Sequence, residues 1–197
     1  QFGTASEILN AVASGSLGRI VAATGLCLFR KPQAYFEGLG AWRRGPGGGV
    51  VLINLVHVID DMRNLCGEVA AVQAVTSSAV RGFAVEDTAA ILLHFASGAL
   101  GTLTASDAAA SPWSWEMTSG EDKAFPRTDQ SCYLVAGTQG SLSVPRLDTW
   151  RHGGDGWWTP LQAMREVGLD QDPLTLQMRH FVQVIRREAA PLLDGRG

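Results

Sequence analysis

The sequence predicts an α+β fold: an open, largely antiparallel β-sheet with helices packed on one face. Three observations predict it. Residues 68–107 carry three strand-like runs in succession, "EVAAVQAVTSSAV", "EDTAAILLHF" and "ALGTLTASD", the last two joined by a tight Ser97-Gly98 turn. Helical spacing appears after Val50 and after Asp172, grouped around the strands rather than alternating with them. No linker and no internal repeat divides the 197 residues, so strands and helices share one core.

The elements follow in order. Thr4 and Glu7 have capping-box spacing, Ile8, Leu9 and Val12 share a face, and Gly15 is a stop signal, which predicts an opening helix. "GRIVAATGLCLFR" predicts a strand that ends at Lys31-Pro32, and "KPQAYFEGLGAWRRGPGGG" reads as a polar, aromatic and glycine-rich loop. From Val50 onward Leu52, Leu55, Val56, Ile59, Met62 and Cys66 follow helical spacing and predict a buried stripe, closed by Gly67. Asn54, His57 and Asp61 lie together on a neighbouring face of that helix, with Asp60 at its edge.

After the three strands, residues 107–130 form a long polar segment with Trp113 and Trp115, read either as a lid over a site or as packing at a subunit interface. "SCYLVAGTQGSLSVP" predicts a hairpin turning at residues 138–140, and "RLDTWRHGGDGWWTP" reads as irregular or as the end of a strand. Asp172 as N-cap and Pro173 at the first helical position open a final helix, whose apolar positions are Leu174, Met178, Phe181, Val182 and Ile185.

Composition narrows the function. At 46% hydrophobic and 18% charged, the chain has enough apolar material for a sizeable core. A net charge of −3 without a basic stripe excludes nucleic acid and anionic membrane as partners. Asn54 and His57 interrupt the longest apolar run, so no segment is suited to cross a bilayer. Cys27, Cys66 and Cys132 are odd in number and lack metal spacing, which predicts buried free thiols in a reducing, cytoplasmic setting. The chain opens without methionine or a signal-peptide pattern and stops at "PLLDGRG" without a closing element, so it reads as a piece of a longer polypeptide.

Several stretches together resemble the C-terminal domain of the Gfo/Idh/MocA family, the glucose-fructose oxidoreductase and inositol dehydrogenase relatives. "SGSLGRIVAATG" looks like that family's G-x-L-G-x-I strand entry. "GPGGGVVLINLVHVIDDMRNLCGE" is similar to its glycine-triplet helix with an H-x-x-D signature, and "VEDTAAILLHFASGALGTLTAS" to its V-E-D-T-A hairpin. Each piece alone is weak, but their order and spacing are specific. The resemblance implies that residues 1–197 are a substrate-binding and oligomerisation domain, with the N-terminal Rossmann cofactor domain absent from this chain. It implies NAD or NADP as cofactor, a sugar, polyol or related hydroxyl compound as substrate, and a homo-oligomer, dimer or tetramer, built through the sheet face. No G-x-G-x-x-G follows a strand here, so no cofactor-binding residue is expected in this chain, which by itself would be inactive.

The resemblance places His57 beside the substrate as the catalytic residue, and an imidazole that titrates near neutrality suits a hydroxyl proton. A histidine that merely bridges core and surface is the competing reading. Asn54, Asp61, Lys31, Tyr35, Trp42 and Arg43 are the candidate substrate-binding residues: aromatic faces stack on sugar rings, and Lys or Arg hold hydroxyls or a carboxylate. An ordinary surface loop with anchoring aromatics competes for the last four. Many family dehydrogenases carry an aspartate four residues before the histidine; this chain has Ile53 there. That departure keeps two alternatives open, a non-catalytic sensor or regulator and a stand-alone dimerisation module. His57, Asp61 and His94 lack ligand spacing, so no metal site is expected, and no G-x-S-x-G elbow supports nucleophilic chemistry.

Overall fold

The computed structural model describes residues 15–154, 156–165 and 172–191; the helix expected from Thr4 to Val12 lies outside them. Eight strands form one sheet, namely β1 (Ile20–Leu28), β2 (Val69–Ser77), β3 (Thr88–Phe95), β4 (Leu100–Ser106), β5 (Tyr133–Gly137), β6 (Ser141–Val144), β7 (Asp148–His152) and β8 (Leu161–Arg165). Their order is β2-β3-β4-β1-β5-β6-β7-β8. Only β1 and β4 run parallel; every other neighbouring pair is antiparallel. The helices are α1 (Val56–Cys66), which continues from a π-helical turn over Val51–Leu55, the short α2 (Trp115–Thr118), and α3 (Pro173–Ile185). None of them is long and apolar enough to cross a membrane.

Three boundaries differ from the expected ones. β1 stops at Leu28 instead of reaching Lys31, because residues 29–31 leave the sheet. The loop before α1 winds into two 3₁₀ turns, Gln33–Phe36 and Gly38–Arg44. The stretch 146–160, which reads as irregular or as the end of a strand, holds β7, and β7 pairs with β8 just beyond it, a strand for which the sequence gives no expectation. Its five residues are all exposed, so no inside-outside alternation marks it in the sequence. What holds it is the ladder and the Asp148 carboxylate, which takes ion pairs from both Arg146 and Arg165.

The two faces of the sheet differ sharply. One row across five strands, Ile91, Leu103, Gly25, Tyr133 and Val144, is buried throughout. The opposite face runs Gln73, Leu92, Thr102, Thr24, Leu134, with Val75, Ala90, Thr104 and Leu26 in the next row. Neither of these outer rows carries a charged side chain, and Val75, Thr102 and Leu134 are exposed. α1 lies on the buried face, and Gly25 is what lets it lie close. A Cβ at Gly25 would sit 2.7 Å from a Leu103 methyl and 3.2 Å from one of Val58.

Sheet contact selects the buried side of α1, and it is not the stripe read from spacing. Leu55, Met62 and Cys66 are buried as expected, but Leu52 and Val56 are 59% and 47% exposed, while Val58 and Leu65 are buried in their place. The apolar positions of this helix cover about half its circumference, broader than one stripe, so packing decides which of them are buried. The entry of α1 depends on the glycine run. Gly49 has φ of 87° and packs so closely on Glu86 that a Cβ would meet its carboxylate at 2.3 Å. Glu86 in turn accepts the Val51 N–H at 3.0 Å, capping the start of the helix.

The neighbouring Asp87, buried on β3's approach, accepts the N–H groups of Val80 and Arg81 at 3.0 and 2.8 Å. That turn aims Arg81 inward, where its Nε pairs with Asp107 Oδ1 at 2.5 Å and its guanidinium also bonds the carbonyls of Lys31 and Asp107. Both side chains of the pair are almost fully buried. Replacing Arg81 with methionine leaves Asp107 charged and unpaired, and should cost about 3–5 kcal/mol, read as a lowered urea midpoint at an unchanged m-value.

Candidate functional site

The candidate site forms where β1 ends, the 3₁₀ turns follow, and the π turn leads into α1. The chain leaves β1 through Phe29 and Lys31, and the Lys31 N–H donates to the Asp107 carbonyl at 2.8 Å. Lys31 is 6% exposed, not a residue of a surface loop. Its Nζ donates to Asn54 Oδ1 at 2.5 Å and lies 4.7 Å from the centre of the Tyr35 ring and 5.6 Å from that of Phe29. Burial holds the lysine below its ordinary pKa, opposed by the Asp107 carboxylate.

Arg43 joins this group. Its guanidinium packs on the Tyr35 ring at 4.1 Å and on the exposed Trp42 ring at 4.9 Å, and donates to the Tyr35 carbonyl at 3.1 Å. The π turn that carries Asn54 is a wider turn than the α-helix, of a kind frequent at functional sites. Lys31, Tyr35, Trp42, Arg43 and Asn54 are thus brought together, although they span residues 31–54 and three different elements.

The remaining two predicted residues are placed differently. His57 is exposed on α1, on the same helix as exposed Leu52 and Val56. Asp61, expected beside the core, is 8% exposed and turned inward, where Oδ2 accepts the Tyr133 hydroxyl at 2.9 Å. Trp115 stacks on Tyr133 with ring centres 5.6 Å apart and donates its indole N–H to Glu121 at 2.8 Å. Burial, then the Asp61 charge, pushes the Tyr133 phenol well above its usual range, so it stays a donor.

Sequence reasoning missed Tyr133, Glu116, Arg81 and Asp107. Glu116 Oε2 is buried without a hydrogen-bond partner, and its charge acts on Lys31 and Cys27. Asp107 carried a signal as the polar end of "TASD", and Tyr133 lies in the predicted hairpin, whose spacing marks a strand but no role for its hydroxyl; Glu116 and Arg81 sit in segments without recognisable spacing. The three cysteines are free and buried. Burial pushes the Cys27 and Cys132 thiols up to about 12 and Cys66 to about 11, so at neutral pH they are protonated and poor nucleophiles. Among the described residues no group of His, Cys, Asp and Glu could hold a metal ion.

A nicotinamide dinucleotide would need a cradle for its phosphates, and the glycine run does not offer one. The space at Gly49 is taken by the Glu86 carboxylate and that at Gly48 by the Arg43 carbonyl, 2.2 Å from where a Cβ would be. The Val51 N–H at the start of the helix is already satisfied by Glu86.

A family model described as the GFO/IDH/MocA C-terminal domain matches residues 6–143. No curated protein matches the sequence significantly. Among solved structures, the chain is similar to the WlbA dehydrogenase from Bordetella pertussis in complex with NADH and UDP-GlcNAcA, at 22% identity and a TM-score of 0.67, covering 99% of this chain and 53% of that one. An oxidoreductase from Thermotoga maritima superposes at a TM-score of 0.68 and 17% identity, over 97% of this chain and 51% of that one. Levoglucosan dehydrogenase in complex with NADH and levoglucosan gives 0.66 at 20% identity, over 96% and 56%. These similarities show the fold, and the chain spans about half the length of each of these proteins.

Tyr133→Phe removes a buried donor from Asp61 while keeping the stacked ring. It should cost about 1–3 kcal/mol in urea denaturation, with native secondary structure retained by circular dichroism.

Proposed function

We propose, since the chain belongs to the GFO/IDH/MocA family through its C-terminal domain, that it is the substrate-binding and oligomerising part of an NAD(P)-dependent dehydrogenase. The substrate is a sugar, polyol or related hydroxyl compound. One observation carries the reading: α1 is anchored to the sheet through Gly25 yet presents exposed His57, three residues along the chain from Asn54, whose amide oxygen Lys31 binds. An exposed imidazole on a rigid helix is placed to take the proton of a substrate hydroxyl. Asn54 and Arg43 orient the substrate by hydrogen bonds, Tyr35 and Trp42 offer ring faces to it, and Asp61 fixes this turn of the helix through Tyr133.

The cofactor belongs, in this reading, to a domain outside this chain, because the glycine run here is filled by Glu86 and Arg43. A nicotinamide would supply the hydride acceptor. Exposed Leu52 and Val56 beside His57 support a second domain closing over this side of α1. Without it the chain is expected to be inactive.

Loss of His57 tests the catalytic assignment. In the polypeptide that joins this domain to its cofactor domain, His57→Ala should lower kcat about 10²–10⁴-fold with native circular dichroism. Unchanged turnover would make His57 a structural residue, and a protein with no turnover at all would point to a sensor.

The uncharged outer face of the sheet supports oligomerisation of this chain with a second copy, since a five-strand face without charge is costly to leave in water. Thr102→Arg puts a cation in the middle of that face. Light scattering should then report a monomer at micromolar concentration where the parent chain is a dimer or tetramer.

A further inference from the structure

We propose that the Lys31–Asn54–Arg43 group is a donor-only subsite that takes a carboxylate, so that the substrate is an acidic sugar or hydroxy acid rather than a neutral polyol. The inference rests on the reading of this group as the substrate site. Lys31 Nζ has only protons to offer, so the Asn54 atom it meets at 2.5 Å is the amide oxygen. That leaves the Asn54 NH₂ as the end of the amide available to a ligand. Lys31 is therefore a positioning residue: it turns an ambivalent amide into a donor.

Arg43 adds donors of the same sign. Its Nε is buried without a hydrogen-bond partner, while another guanidinium nitrogen is bound to the Tyr35 carbonyl. Arg43 and Lys31 both pack on the Tyr35 ring, and the Arg43 charge adds to the burial that holds the Lys31 pKa down. Two carboxylates act on Lys31 electrostatically, and neither accepts a hydrogen bond from the side chain of Lys31, Asn54 or Arg43: that of Asp107 is taken by Arg81, and Glu116 Oε2 has no hydrogen-bond partner. Ile53, on the turn that carries Asn54, supplies no acceptor.

A neutral hydroxyl uses only its acceptor side here and leaves its own proton to water, because the Lys31, Asn54 and Arg43 side chains offer donors alone. A carboxylate accepts only, and charge-assisted bonds to Arg and an amide are shorter and stronger than neutral ones. It also adds to the Asp107 and Glu116 charges that offset the burial of the lysine.

The test is NMR titration of the chain with sodium D-glucuronate, D-glucose and inorganic phosphate at equal ionic strength, following the Asn54 side-chain NH₂ and the Lys31 Nζ resonances. Glucuronate should shift both and raise the Lys31 pKa, glucose should leave both in place, and phosphate should bind more weakly than glucuronate. Asn54→Asp, which turns the donor into an acceptor paired with Lys31, should weaken glucuronate at least about tenfold. Equal shifts with glucose would overturn the acidic specificity and leave the substrate site standing. Phosphate binding as tightly as glucuronate would overturn the carboxylate assignment, and a response to none of the three would overturn this inference together with the site reading beneath it.

Discussion

The buried ion pair between Arg81 and Asp107 organises this domain. It joins the turn after β2, the end of β4 and the segment leaving β1, three places far apart in sequence. Two buried charges gain little net stability from each other, because desolvation consumes most of the attraction. What they supply is geometry. Asp87 aims Arg81 by binding the N–H groups of its turn, and Arg81 then fixes the backbone at Lys31. A lysine whose main chain is held this way can reach Asn54 across to another element.

The acidic pair Glu86-Asp87 serves the site from both directions. Asp87 works through Arg81 on the floor, while Glu86 caps the helix that forms the wall. Gly49 makes room for Glu86: the backbone there is left-handed and the carboxylate occupies the volume a side chain would need. A glycine-rich run before a helix invites a phosphate-binding interpretation. Here an internal carboxylate holds the place that a phosphate would take.

The exposed apolar groups fall into distinct sets. The outer face of β2 to β5 is mixed aliphatic and threonine without charge, and Leu52 with Val56 lies on the free side of α1. α3 carries Leu174, Met178, Phe181 and Ile185 all exposed, the amphipathic stripe of a helix built to pack on something.

Much of the fold is legible in the sequence. Period-two runs and a Ser97-Gly98 turn place β2, β3 and β4, Asp172-Pro173 starts α3, and the spaced cysteines read as buried thiols. The order of motifs also identifies the family. These features are local, set by backbone preference within a few residues. What only the tertiary structure decided is which side of each element meets what. The apolar side of α1 is broader than one stripe, and packing on the sheet buried Val58 and Leu65 rather than Leu52 and Val56. The same rotation sent Asp61 to Tyr133 and left His57 outside. Lys31 looked like part of a surface loop until Asp107 and Arg81, remote in sequence, drew its backbone inward. β8 has no inward face of its own, so its sequence carries no pattern until β7 pairs with it. Periodicity records how a segment can be buried; the partner that buries it lies elsewhere in the chain, and only folding brings the two together.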